Sequence, residues 1–197
     1  MTSPREKRRA RTRDSILEAA MQIVMQHGVE ALSMREIAER IEYSPSGLYE
    51  YFSSKEEIIA ELVNEGFARL TARLEHGIHG ETALSRLQEA GKVYMQFALQ
   101  EPQVYLMMFN HKSLTPFPLT EVEQNTAYSK LFQIFQDGLL SGEFRSASGA
   151  GSQELAYTSW SLMHGLSMLR LTLMSQVTED IDRLHERAFQ AFVEQLK

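Results

Sequence analysis

Between residues 33 and 56 the chain carries two helix-start signals separated by barely one short helix, and nothing else in it constrains the fold as strongly. Ser33 and Glu36 stand at capping-box spacing, where the hydroxyl can accept from an orphan amide and the carboxylate can reach back. Ile37, Ala38 and Ile41 follow as an apolar stripe, so the spacing predicts a helix over 34–41. Ser44 then Pro45 is a second start, a hydroxyl cap with proline at the first helical position, predicting a helix over 45–51. Ser54-Lys55-Glu56-Glu57 opens a long helix reaching Gly77. Packing alone does not explain two helices so short and so close. The second shows small and hydroxyl residues (Ser46, Gly47, Tyr49, Tyr51) where a buried helix would carry Leu and Ile. That profile suits a helix lying in a DNA groove.

The segment resembles the N-terminal helix-turn-helix of the TetR family of bacterial transcriptional regulators. Gly28, Ser33, Ile37, Ala38, Ser44, Leu48, Tyr49, Tyr51, Phe52, Lys55 and Glu56 stand at the family's spacing, and a match at so many set positions is specific. Three positions depart from it. Glu42 opens the turn where Gly is usual, Ser46 stands where Gly is frequent, and Glu50 replaces a frequent His. A left-handed Glu42 would cost about 1 kcal/mol relative to Gly.

The resemblance implies that the second short helix enters the major groove. Pro45, Ser46 and Gly47 would then reach base edges with Tyr43 and Ser44 beside them, and Tyr49 and Tyr51 would offer phenols to phosphates. Ser33 and the helix start at Met34 would present a hydroxyl and free amides to a phosphate, and Lys55 would do so at the next helix start. Arg35 and the arm residues Arg9, Arg11 and Arg13 would add sequence-independent grip. Neither Arg nor Asn is placed for bidentate base reading, so hydroxyl contacts and DNA shape would carry the specificity. Glu50 would face phosphate unfavourably unless it accepts from a cytosine amine. Leu48 and Phe52 read nothing; they are core.

A net charge of −6 at first argues against DNA, but the distribution of that charge argues for it. Arg5, Lys7, Arg8, Arg9, Arg11 and Arg13 face only Glu6 and Asp14 within residues 1–14, a local excess of four positive charges. Such asymmetry suggests nucleic-acid contact at the basic end. No cysteine is present, which excludes disulfides and thiolate metal sites and fits a cytoplasmic protein. No apolar run is long enough to span a bilayer, and no secretory signal opens the chain, so no membrane partner is expected. Phosphate-cradling glycine loops, nucleophile elbows and HExxH are missing, and His76 and His79 lack the carboxylate spacing of a metal site. No catalytic residue, metal or cofactor is therefore expected.

Helical stripes cover nearly all of the chain, which predicts an all-α fold. A three-helix DNA-binding head with its basic arm and helix-turn-helix (33–52) would occupy 1–54, and a larger ligand-binding and dimerisation body 55–197. Helix 1 should stop at Gly28. The body should hold helices over 82–100 and 102–111, a loop at 115–119, and a helix from the Thr120–Glu123 capping box to Ser141. A mobile small-residue linker is expected over 142–151, followed by helices over 152–174 and 179–195, the latter capped by Thr178. Pro102 to Phe109 together with Trp160, His164 and Gly165 resembles the tryptophan-histidine-glycine type of TetR C-terminal domain.

Tyr94, Phe97, Tyr105, Met108, Phe109, Phe117, Phe132, Phe135, Trp160 and His164 are the candidate pocket residues. Pockets are mostly apolar with a few polar groups, although a stripe of this kind is commonly plain core. Leu155, Leu162, Leu166, Leu169 and Leu173 on one late helix, with Leu184, Ala188 and Phe192 on the next, demand cover on a second side. The resemblance makes that cover a second copy, in a four-helix bundle that sets two heads about 34–36 Å apart over an imperfect palindromic operator in double-stranded DNA. The expected activity is a homodimeric repressor released by an unknown small-molecule effector. A regulator with a closed body controlled by a protein partner, and a helical enzyme, are the alternatives.

Overall fold

In the computed structural model, which describes residues 3–110, 126–146, 149–177 and 180–196, the chain is all-α. Its helices are α1 (Pro4–His27), α2 (Met34–Arg40), α3 (Pro45–Leu48), α4 (Lys55–Gly77), α5 (Ala83–Gln100), α6 (Pro102–Asn110), α7 (Thr126–Ser141), α8 (Ser152–Leu171) and α9 (Ile181–Glu194). A short 3-10 turn, Val29–Ala31, links α1 to α2, and no strand occurs among the described residues. The expected loop at 115–119 and the Thr120–Glu123 cap lie outside them. Two compact units form, residues 1–67 with 101–116 and residues 68–100 with 117–197.

The first unit is built on α1. Ser3 and Glu6 close a reciprocal capping box at its start, with Pro4 at the first helical position. At its end the Gly28 N–H donates to the Val24 carbonyl at 2.8 Å, with φ at 80°, a conformation that disfavours a side chain. Ile16, Ala20, Ile23 and Val24 on one face of α1 meet Leu32, Ile37, Leu48, Phe52, Ile58 and Leu62 in this unit's buried core. α6 packs against α1, and a Cβ on Gly66 of α4 would meet Met108 Sδ of α6 at 2.7 Å. Phe67 and Phe109 stack edge to face at 5.6 Å.

In the second unit α5, α7 and α8 pack on one another and α9 covers α5 and α8. Gly91 of α5 leaves room for the Phe189 ring of α9, which a side chain would fill. The start of the expected mobile linker is instead anchored. Phe144 is buried, its ring 5.6 Å from that of Phe135 and set into the gap left by Gly138. Its N–H donates to the Gly138 carbonyl at 2.9 Å, and the next N–H, of Arg145, to the Leu196 carbonyl at 2.7 Å. One aromatic residue outweighs the mobility that the surrounding small residues suggest. α8 ends at Leu171, three residues earlier than expected. α9 is capped by Asp180, whose carboxylate accepts from the Arg183 N–H at 3.3 Å, rather than by Thr178, which lies outside the described residues.

His185 sits on the buried face of α9, and its Nδ1 has no hydrogen-bond partner among the described residues. Burial depresses its pKa; Asp182 opposes the shift and Arg170 reinforces it. As pH falls below about 6.5, the unfolded chain takes up a proton that the folded chain resists, so this stability is complete above that pH and lost on acidification. The melting temperature should therefore fall between about pH 7 and about pH 5. His164, also depressed by burial, adds a slope of the same sign. His185→Gln should flatten the profile by up to about 1.4 kcal/mol per pH unit, read by calorimetry across that range. An unchanged profile would remove His185 as the cause.

Candidate nucleic-acid interface

Two hydroxyl caps set the geometry of the helix pair. Ser33 Oγ accepts from the Glu36 N–H at 3.1 Å and starts α2, but the Glu36 carboxylate lies 3.8 Å from Arg40 instead of reaching back to close the expected capping box. The turn after α2 closes when the Tyr43 N–H donates to the Ala38 carbonyl at 2.8 Å. Glu42 carries it through a left-handed conformation at φ 54°, the strained position expected from the sequence. Ser44 Oγ then accepts from the Gly47 N–H at 3.1 Å and starts α3 at Pro45.

α3 is one turn long, shorter than the helix expected over 45–51. Beyond Leu48 the chain tightens: the Tyr51 and Phe52 N–H groups both converge on the Leu48 carbonyl, at 2.9 and 3.0 Å. This bend carries Phe52 into the core, 1% exposed, and the burial of an aromatic ring outweighs another helical turn. A Cβ on Gly47 would approach a Tyr43 ring carbon to 2.6 Å, so the missing side chain lets that ring lie over α3.

The expected contact residues divide by exposure. Ser33, Arg35, Tyr43, Ser44, Pro45, Ser46, Tyr49 and Glu50 are exposed, and Met34, Gly47, Tyr51 and Lys55 are half-buried. Arg35 pairs with Glu39 one turn on, at 2.9 Å. The Tyr51 ring lies 6.2 Å from that of Tyr43, edge to face. Of the arm, which is helical and not loose, Arg11 is exposed. Arg9 is exposed too but is tied to the chain after α3, and Arg13 is half-buried. Arg9 Nη2 donates to the Glu50 carbonyl at 3.0 Å, and Arg13 Nη2 to the Glu61 carboxylate at 2.7 Å. Spacing in the sequence gave no sign of these partners, 41 and 48 residues away.

The pocket candidates are divided between the two units. Tyr105, Met108 and Phe109 belong to the first unit, and Tyr94, Phe97, Phe132, Phe135, Trp160 and His164 to the second. Phe117 lies outside the described residues. Phe97 and Phe135 are fully buried, as core residues are. Around Trp160 an aromatic cluster gathers, with Tyr128 at 5.9 Å, Tyr157 at 6.1 Å and His164 at 6.2 Å between ring centroids. The Tyr94 hydroxyl lies 3.4 Å from His164 Nδ1. Tyr128 and Tyr157 were not foreseen, although Tyr157 stands one turn before Trp160. Among the described residues no group of three or more His, Asp or Glu side chains could hold a metal ion.

Of the expected interface residues, Leu155 is buried within its unit, and Leu162, Leu166, Ala188 and Phe192 are half-buried. Leu169 on α8, Leu173 just after it and Leu184 on α9 are 38%, 79% and 59% exposed.

A capped helix, a tight left-handed turn and a one-turn helix with an exposed polar edge make up a helix-turn-helix head. Comparison with known proteins places it. The model of bacterial regulatory proteins of the tetR family matches residues 16–62, and that of the tetracyclin repressor-like C-terminal domain matches residues 87–192. The chain belongs to the TetR family. It is 35% identical over 76 residues to the transcriptional repressor KstR of Mycobacterium tuberculosis, covering 38% of this chain and 34% of that protein. It is 32% identical over 121 residues to the transcriptional regulator UidR of Escherichia coli, covering 54% of this chain and 62% of that one. The chain thus spans about a third to three fifths of the length of these relatives.

Solved structures match over nearly the whole chain. A Rhodococcus protein of unknown function has a TM-score of 0.78 at 22% identity, covering 93% of this chain and 94% of that one. FadR of Bacillus subtilis, solved in complex with stearoyl-CoA, has a TM-score of 0.70 at 18% identity, covering 93% and 99%. Likeness at this identity speaks for the fold alone.

Proposed function

We propose that this chain is a homodimeric transcriptional repressor that grips an imperfect palindrome through α3 and is released by a small molecule bound in its body. The observation that carries the reading is α3 itself. It is a single capped turn whose Ser44, Pro45 and Ser46 edge is exposed, with Tyr43 and Tyr49 41% and 57% exposed beside it. Large phenols left in solvent around a short polar helix suit a groove and its flanking phosphates. Pro45, Ser46 and Gly47 would meet base edges, with Tyr43, Ser44 and Glu50 at their margin. Tyr49, Ser33, Met34, Arg35, Lys55 and Arg11 would hold phosphates. Work on DNA would place the protein in the cytoplasm, and among the described residues no helix is long and apolar enough to cross a membrane.

The effector would bind at the aromatic cluster of the second unit, with Trp160, Tyr128 and Tyr157 as apolar wall and the Tyr94–His164 pair as polar anchor. Effector binding would favour a dimer whose heads no longer match the half-site spacing, a shift of population between two states. FadR, with its acyl-CoA, is a neighbour in which ligand binding occurs on this fold. The test is selection of duplexes from a random-sequence pool by the full-length protein, followed by band shifts with and without compounds that raise its melting temperature. Recovery of a palindrome, and its release by such a compound, is expected. Failure to enrich any duplex would overturn the proposal.

A further inference from the structure

We infer that Arg13 is a positioning residue of the DNA reader, holding α3 at its reading angle through Phe52 and Glu61, and that it is not a phosphate contact. The inference rests on the DNA-binding reading above. α3 is only Pro45–Leu48, too short for its own hydrogen bonds to set its orientation. Its angle is set by its packing on α2, by the buried Leu48 and by whatever holds the four residues that follow.

Those residues are held from α1. Arg5, Arg9 and Arg13 recur every fourth residue and share the helix face that carries Ile16 and Ala20, whereas Lys7 and Arg11 lie on the opposite side. Arg9 donates to the Glu50 carbonyl at 3.0 Å and lies 5.8 Å from the Tyr51 ring centre. One turn later the Arg13 guanidinium lies 4.8 Å from the centre of the Phe52 ring, and its Nη2 is 2.7 Å from Glu61 Oε1. Phe52 in turn donates its N–H to Leu48, the last residue of α3, at 3.0 Å. The chain of contact thus runs Glu61, Arg13, Phe52, Leu48, with no gap.

Both functions of the guanidinium are used, its face on the ring and its edge on the carboxylate. A phosphate would have to share the guanidinium with that carboxylate, which offsets its charge. Lysine can match the charge but not the planar stack, so it separates the two roles. Glu61 separates them again, by sign. Removing a negative charge from a DNA-binding head should tighten binding by electrostatics alone, and weaken specific binding if the carboxylate holds Arg13 in place.

The experiment uses the full-length chain, with two probes: the duplex it selects from a random pool, and a random-sequence duplex lacking that site. Dissociation constants are measured against salt for Arg13→Lys, Glu61→Gln and, as a phosphate-type control, Arg11→Gln, with melting temperatures to verify folding. Arg13→Lys and Glu61→Gln should each weaken the selected duplex about tenfold, the scale of a lost charge-assisted hydrogen bond; Arg13→Lys should leave the random duplex and the salt slope unchanged, and Glu61→Gln should bind the random duplex at least as tightly as the parent. Arg11→Gln should reduce the salt slope by about one on both duplexes. Arg13→Lys with parental affinity, or Glu61→Gln binding both duplexes more tightly, overturns the inference. Should Arg13→Lys fail to fold, Glu61→Gln decides alone. If the parent selects no duplex, the DNA-binding reading falls and takes this one with it.

Discussion

Introducing charge at Leu173 and Leu184 together, as Leu173→Glu with Leu184→Glu, should leave a folded monomer whose affinity for the selected palindrome is lower by about 10²–10⁴-fold. The residues are 79% and 59% exposed, so neither substitution takes a buried group from the chain's own core. Like Leu169, both are large apolar side chains that this part of the chain leaves exposed. The Arg170–Asp182 ion pair, at 2.8 Å, ties α8 to α9 within this region. In a dimer that surface would be covered, and a carboxylate buried there without a partner would cost several kcal/mol, enough to separate the copies. Each head would then bind alone and lose the effective concentration supplied by its mate. The checks are sedimentation for the oligomer, circular dichroism for the fold and band shifts for affinity. A variant that stays dimeric, or a monomer that binds the palindrome as before, would place the interface elsewhere.

Local chemistry made much of the head legible from the amino-acid order alone. The caps at Ser33 and Ser44, the stop at Gly28 and the strained turn at Glu42 each depend on residues within four positions of one another, and the structure holds all four. Interactions over long sequence distances were hidden. The short span of α3 follows from Phe52 seeking the core. The pairing of Arg9 and Arg13 is with a carbonyl and a carboxylate far along the chain. Sequence order likewise gives no hint that α6 packs against α1. Composition misled in one place, where a run of glycine, serine and alanine suggested mobility and Phe144 supplied an anchor. The body was legible only as helices. That Tyr128 meets Trp160 depends on how α7 and α8 face each other, whereas Tyr157, on the same helix as Trp160, was legible from its spacing and went unforeseen.

Phe52→Ala should unfold the head before the body. The ring is 1% exposed and joins the buried core that includes Ile16, Ile37, Leu48 and Ile58, with the Arg13 guanidinium over its face. Truncating such a ring leaves a cavity and costs about 3–5 kcal/mol, a large share of what a small helical unit has to lose. The one tryptophan of the chain, Trp160, lies in the second unit, so its fluorescence follows the body while far-ultraviolet circular dichroism follows both. In urea the dichroism of the variant should show an early loss of helix that the fluorescence does not. DNA binding should vanish across that early transition. Coincident curves would mean that the two units melt as one and would refute the separation. Phe52→Leu sharpens the test, because it returns most of the apolar volume without the aromatic face. It should recover much of the lost stability yet still bind the selected duplex more weakly than the parent, since the seat on which Arg13 rests is gone.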